Sequence, residues 1–220
     1  MLQLVLLRGA ETVLHDEGKV IGQLNPEPKQ IGLPDDLVYS LESIFARVGV
    51  DDRAYFYSSP LKRTNVPAAR LGFDVPQPVP LVTSSVRQEL RERNFGEYQG
   101  RTYEDLGLTV EDLARQQVVP GGETRKAFRT RVNRFLSKEL LPKDGLVVVT
   151  AHYYVINSMM DYIEGKREPQ ARHLPPSSGY AMEIDDLGLV QCVERLPRYR
   201  SPSAPVRAPV VPVAPVPIQP

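Results

Sequence analysis

The stretch from Leu4 to Thr12 reads Leu-Val-Leu-Leu-Arg-Gly-Ala-Glu-Thr. An apolar run meets an arginine and then two small residues. This pattern predicts a buried strand that ends in a tight, cationic loop. In an open α/β sheet, ligands bind outside the carboxyl ends of such strands. Three later stretches have the composition to meet this loop: Ser58–Arg63, Leu90–Gly96 and the run from Val147 through Thr150 to His152.

The rest of the chain reads as alternating strands and helices. Leu2–Leu7 carries apolar residues on both faces, as in a covered parallel sheet. Glu11 to Pro34 lacks helical periodicity and holds several Gly and Pro, which predicts a long loop over the sheet end. Asp35-Asp36 followed by Leu37, Leu41, Ile44, Phe45 and Val48 predicts a helix with an acidic start, stopped by Gly49. A short strand follows at Ala54–Ser58, then a helix from Leu61 to Leu71 that Pro67 should kink or end early. Pro76, Pro78 and Pro80 space an extended connection to a strand at Leu81-Val82. Thr102–Gln117 holds one or two short helices broken at Gly107, and Pro120-Gly121-Gly122 is a turn. From Thr124, Phe128, Val132, Phe135, Leu136 and Leu140 recur at helical spacing until Pro142. Leu146–Ala151 is a central strand, Tyr154–Glu164 a helix, and Ala181–Ile184 with Leu189–Val193 an edge hairpin.

Composition excludes several classes. The 27 cations balance 27 anions, so no global field draws in nucleic acid or an anionic membrane. Any phosphate site must be a local cluster of arginines. The single Cys192 excludes an internal disulfide framework and a paired-cysteine metal site. It fits a reducing compartment, with the cytoplasm the first expectation. No apolar run reaches the ~18 residues of a membrane span, and a strand starting at Leu2 leaves no room for a leader peptide. Residues 197–220 carry 8 of the 21 prolines, no acidic residue, and Arg198, Arg200 and Arg207 as their only charges. This segment reads as an extended, polyproline-like tail beside a domain at 1–196, and as either a disordered terminus or a docking tail.

Arg8 with Glu11-Thr12, Ser58-Ser59-Pro60-Leu61-Lys62-Arg63, Leu90-Arg91-Glu92-Arg93-Asn94-Phe95-Gly96, Gly122-Glu123-Thr124 and His152 just past a strand occur in a telling order. Together they resemble the histidine phosphatase superfamily, the phosphoglycerate mutase-like proteins, over about Leu2 to Val193. The resemblance implies a three-layer sandwich with a mostly parallel sheet between helices. It implies Arg8, Arg63 and His152 as phosphate ligands and Glu92 as the acid that protonates the leaving oxygen. Such chemistry surrounds spreading negative charge with cations and helps departure with a positioned acid. It needs no cofactor or metal.

The departures from the family pattern bear on function. Gly9 occupies the place of the nucleophilic histidine, and glycine has no side chain to accept a phosphoryl group. Ala10 replaces a glycine, and Val66-Pro67 stand where Gln-Thr is common. Tyr153 and Tyr154 stand where small residues are favoured, so a ring is expected at the pocket mouth. His15 lies where the family often has a phosphate-touching asparagine.

Each residue also has a plainer reading. Arg8 and Arg63 pair with Glu11, Glu92 or Glu123; Glu92 is a solvated loop charge; His152 is a satisfied strand-end histidine; His15 and His173 are exposed loop residues. Ser58-Ser59 is first a helix-start signal. The expectation is a pseudoenzyme that works as a structural or regulatory subunit. It would meet other protein subunits through the tail and the former active-site face, and would take phosphate or a phosphate ester. The alternatives are an active phosphatase or phosphomutase with His15, His152 or water as nucleophile, and a non-catalytic phospholigand receptor.

Overall fold

In the computed structural model, which describes residues 1–48, 53–74 and 81–197, strands and helices alternate along the chain. Their order is β1 (Leu2–Arg8), α1 (Val13–Asp16), α2 (Asp35–Phe45), β2 (Ala54–Ser58), α3 (Lys62–Asp74), β3 (Leu81–Val86), α4 (Tyr103–Leu106), α5 (Val110–Arg115), α6 (Arg125–Phe135), β4 (Gly145–Ala151), α7 (Tyr153–Ile163), β5 (Gly179–Ile184) and β6 (Val190–Leu196). The sheet order is β3-β2-β4-β1-β5-β6. The first four strands in that order run parallel, and β5 and β6 add an antiparallel edge. The expected proline-spaced connection, the stop at Gly49 and the tail beyond residue 197 lie outside the described residues.

The two-sided apolar pattern of β1 explains the three layers. Leu2, Leu4 and Leu6 pack with Val132, Phe135, Val155 and Met159 of α6 and α7. Val5 and Leu7 point the other way, onto Leu37, Leu41 and Ile44 of α2 and Leu71 of α3. β4 repeats the alternation: Val147 and Val149 join the first core, Leu146 and Val148 the second. A period of two on a sheet covered on both faces needs apolar residues at every position.

Two expectations are corrected. The loop after Glu11 contains a short helix, α1, which a local device starts rather than apolar periodicity. Thr12 and His15 form a reciprocal capping box, and the Thr12 amide donates to His15 Nδ1 at 3.0 Å. Helix α3 also runs through Pro67 to Asp74 instead of ending early. Proline has no N–H to give the carbonyl four residues back, that of Arg63. That carbonyl accepts the Ala10 amide at 2.7 Å. The bond lost to the helix is replaced from the β1 loop.

Arg93 is the least expected core residue. Its guanidinium is fully buried and donates to the carbonyls of Glu123 (3.1 Å), Leu113 (3.3 Å) and Gln116 (2.7 Å). It also lies 5.3 Å from the Phe95 ring. Burial lowers its pKa. These bonds tie the loop after β3 to α5 and to the start of α6. Replacement by Met keeps the volume and strands three carbonyls. We expect Arg93→Met to lower unfolding free energy by more than about 3 kcal/mol in urea titration; a loss within about 0.5 kcal/mol would show the network is dispensable.

Candidate active site

The site forms where β1, β2 and β4 end together. The Gly9 amide donates to Ala151 O (2.9 Å), and the Ser59 amide to Thr150 O (3.0 Å). These bonds draw the Arg8-Gly9-Ala10 turn, the Ser58-Ser59 turn and the start of α7 into one cluster. A cavity of about 610 Å³ opens there, lined by Arg8, His15, Arg63, Glu92, His152 and Tyr153 among others. The structure therefore brings together the sequence-derived residues Arg8, Gly9, His15, Arg63, Glu92 and His152. His173 lines the same cavity from an exposed position.

The two arginines are held by backbone oxygens. Arg8 donates to Leu174 O and lies 5.3 Å from the Tyr153 ring. Arg63 is buried and donates to Gly22 O (2.7 Å) and Leu24 O (2.8 Å). Among the described residues neither makes an ion pair with a carboxylate: Glu11 pairs with Lys29, and Glu123 with Arg131. The plainer reading of Arg8 and Arg63 as ion-pair partners is not what the fold does. A guanidinium has five N–H donors, so each keeps donors for a ligand. Burial pushes both pKa values down, Arg63 to about 10, and both remain cationic at neutral pH.

Glu92 is buried and not a solvated charge. Its Oε1 accepts the Arg93 amide (2.9 Å) and its Oε2 the Tyr154 amide (3.2 Å) at the start of α7. Burial raises its pKa despite these bonds and the two arginines. A raised carboxyl suits proton donation. His152 is buried beside it, with Nε2 2.7 Å from Ser59 Oγ. Burial, then Arg63 and Arg8, hold the His152 pKa well below the usual histidine range, so the ring is neutral.

His15 is drawn into the pocket rather than left on the surface. Its Nδ1 faces the Thr12 amide hydrogen, whose direction the backbone fixes. The Thr12 hydroxyl lies 3.0 Å from the same nitrogen, and with Nδ1 accepting from the amide the neutral ring carries its proton on Nε2. Nε2 lies 3.1 Å from Arg8 Nη2. In that tautomer two donors face each other there, an arrangement that an anion's oxygen would resolve by accepting from both. Burial and the nearby Arg8 and Arg63 depress the His15 pKa to about 4.

The tyrosines line the pocket without closing it. Tyr153 lies by Arg8, with its hydroxyl donating to Arg172 O (3.3 Å). Tyr154 turns inward, edge-on to Phe95 at 5.0 Å, and donates to Val110 O (3.1 Å).

At residue 9 there is no room for a side chain. A Cβ there would lie 2.5 Å from Arg63 O and 2.6 Å from Thr64 Cγ2. The backbone oxygen is the one that binds the Ala10 amide, so the close approach and the glycine belong together.

Sequence reasoning missed the supports. Arg131 donates to both oxygens of Glu123 (3.1 and 2.8 Å) and to the carbonyls of Glu89 (2.6 Å) and Arg91 (3.0 Å), fixing the loop that carries Glu92. Gln99 Oε1 accepts the amides of Gln23 (2.6 Å) and Phe95 (3.3 Å), joining the two walls. The reach of Arg131 to Glu89 and Arg91, and of Gln99 to Gln23, is long-range and has no local signature.

The histidine phosphatase superfamily (branch 1) pattern matches residues 4–189. The chain belongs to that superfamily. The TTHB049 protein of Thermus thermophilus is similar at 25% identity and a TM-score of 0.57, covering 87% of this chain and 98% of its own. A phosphoglycerate mutase from the same organism shares the fold at 23% identity and a TM-score of 0.56, with 87% and 97% covered. A putative α-ribazole-5′-P phosphatase from Escherichia coli K-12 shares it at 22% and 0.60, with 84% and 91% covered. No curated protein matches the chain. Among the described residues no helix is long and apolar enough to cross a membrane, and no group of His, Cys, Asp and Glu forms a metal cluster.

The His15 geometry predicts a pH dependence of stability. Its folded pKa, about 4, lies below the ordinary value of 6.5, so between these values the unfolded chain binds more protons. The His15 contribution is complete above 6.5 and is lost as pH falls toward 4. Thermal melts across this window should flatten in His15→Asn, the remaining slope being the balance of His152 against the raised carboxyls of Glu92 and Asp161, which act with the opposite sign. An unchanged slope in the variant would show that His15 is solvated.

Proposed function

We propose that this chain is a catalytically silent histidine phosphatase fold that holds phosphate or a phosphate ester in its pocket. In this reading it serves as a regulatory or structural subunit of a protein assembly. The observation that carries the reading is residue 9: a glycine stands in the nucleophile's place, and the Arg63 carbonyl and Thr64 methyl occupy the space a Cβ would need. The cations around it remain. Arg8, Arg63 and the Nε2 proton of His15 offer donors to an anion, and Glu92, when protonated, offers one more. Neither histidine is set up to replace the nucleophile: His152 Nε2 is engaged with Ser59, and His15 Nε2 carries a proton.

One observation favours a second reading. The raised pKa of Glu92 is what a leaving-group acid needs, so direct attack by water is the active alternative. A labelled phosphate monoester separates the two. We expect no acid-labile label on the protein and no release of phosphate above the uncatalysed rate. Steady turnover lost in Glu92→Gln would establish the active reading. Inorganic phosphate should raise the melting temperature by mass action, and Arg8→Ala should abolish the shift. Gly9→His should lower the melting temperature and confer no phosphoenzyme. A stable, labelled Gly9→His protein would show that the turn has room for the nucleophile.

The partner contact in this reading is the proline-rich tail together with the pocket rim. Truncation after Leu196 should leave the melting temperature unchanged and weaken recovery of the native partner in a pull-down. Full recovery would assign the contact elsewhere.

A further inference from the structure

Helix α6 carries Arg125, Lys126, Arg129, Arg131 and Arg134 and no carboxylate over its 11 residues. Arg131 turns inward to Glu123, but the others border a surface groove of about 480 Å³ away from the phosphate pocket. No carboxylate lines this groove among the described residues. Arg129 donates to the carbonyls of Lys166 (3.0 Å) and Arg167, and Arg125 pairs with Glu168 at 2.8 Å. These contacts bring the segment after α7 to the groove, with Lys166 and Arg167 exposed on it. Lys126, Arg134, Lys166 and Arg167 are all exposed, and none has a carboxylate within ion-pair distance among the described residues. In a chain whose formal charge sums to zero, this is a strong local excess of cations.

We propose that the α6 groove docks an acidic polypeptide segment of a partner protein. The chain's own tail is disfavoured as occupant by charge, because residues 197–220 carry three arginines and no acidic side chain. A nucleic acid is disfavoured because a neutral protein has no wide field to gather a polyphosphate. The groove also offers Gln117, Asn133, Thr130 and Ser137 beside its cations, short polar groups that complete hydrogen bonding to carboxylates. Helix α6 rises about 16 Å, which about five extended residues span.

Fluorescence anisotropy with a labelled oligoglutamate of about six residues tests the proposal on the full chain. We expect saturable binding at low salt that weakens as salt rises. The exposed pair Lys126→Glu/Arg134→Glu should lower affinity tenfold or more with an unchanged melting temperature. Arg8→Ala should leave binding unchanged, and inorganic phosphate should weaken it no more than chloride of equal ionic strength, which separates this groove from the phosphate pocket. Equal binding by the charge-reversed protein would overturn the proposal. So would a single-stranded oligonucleotide of equal charge that binds the same groove more tightly. Salt-dependent self-association in sedimentation, lost in the same variant, would assign the groove to the acidic first turns of α4 and α5 in a second copy and would equally overturn it.

Discussion

The Ala10 amide and the Arg63 carbonyl meet at 2.7 Å, and the site depends on that contact. It joins the end of β1 to the first turn of α3, the two elements that carry Arg8 and Arg63. Pro67 makes the carbonyl available, since it gives no helical N–H in return. The resulting approach leaves no space for a Cβ at residue 9. The glycine, the proline and the closeness of the two arginine-bearing turns are one coupled arrangement. Changing residue 9 alone acts against two fixed neighbours, one of them backbone.

Much of this was legible in the chain. The two-sided apolar pattern of β1 and β4 announces a sheet covered by helices on both faces, because every position of such a strand is buried. The arginine after β1, the Ser-Ser-Pro turn and the histidine after β4 announce a ligand site, because parallel strands end on the same side. What was not legible depends on side chains reaching across the fold. Arg93 and Arg131 look like surface charges by composition, yet each satisfies three carbonyls or a carboxylate from distant loops. His15 reads as an exposed loop residue because its capping box with Thr12 is local and has no apolar period. Pro67 reads as a helix end because the acceptor it leaves behind is satisfied only from β1, 53 residues away by the numbering of Ala10 and Arg63.

The two cationic regions differ in kind. In the pocket, Arg63 is buried and Arg8 half-buried, and both are fixed by carbonyl oxygens, so each acts at short range in a medium of lowered effective dielectric. On α6 the unpaired cations are exposed, and salt screens them beyond about 10 Å. The proposed pocket ligand is a small anion selected by geometry. The proposed groove ligand is extended negative charge, drawn by proximity.

The polar content of the pocket is itself a constraint on function. One guanidinium, a carboxyl and one imidazole are buried there, with Arg8 and His15 half-buried beside them, and burial is the leading cause of every pKa shift among them. Burying such groups costs several kcal/mol unless they are paired. The fold supplies partners for much of this demand, but it leaves Arg8 Nη2 and His15 Nε2 donor against donor at 3.1 Å. A purely structural subunit would gain stability by replacing these residues with apolar ones of similar volume. An anion that accepts from both donors removes the conflict and offsets the burial of the arginines. In the proposed reading, ligand binding and folding stability are coupled through the same few atoms. On that proposal, occupancy would change how firmly the β1 loop, α1 and the wall carrying Leu174 are held together, and a silent fold would report a phosphate ester by that change in stability.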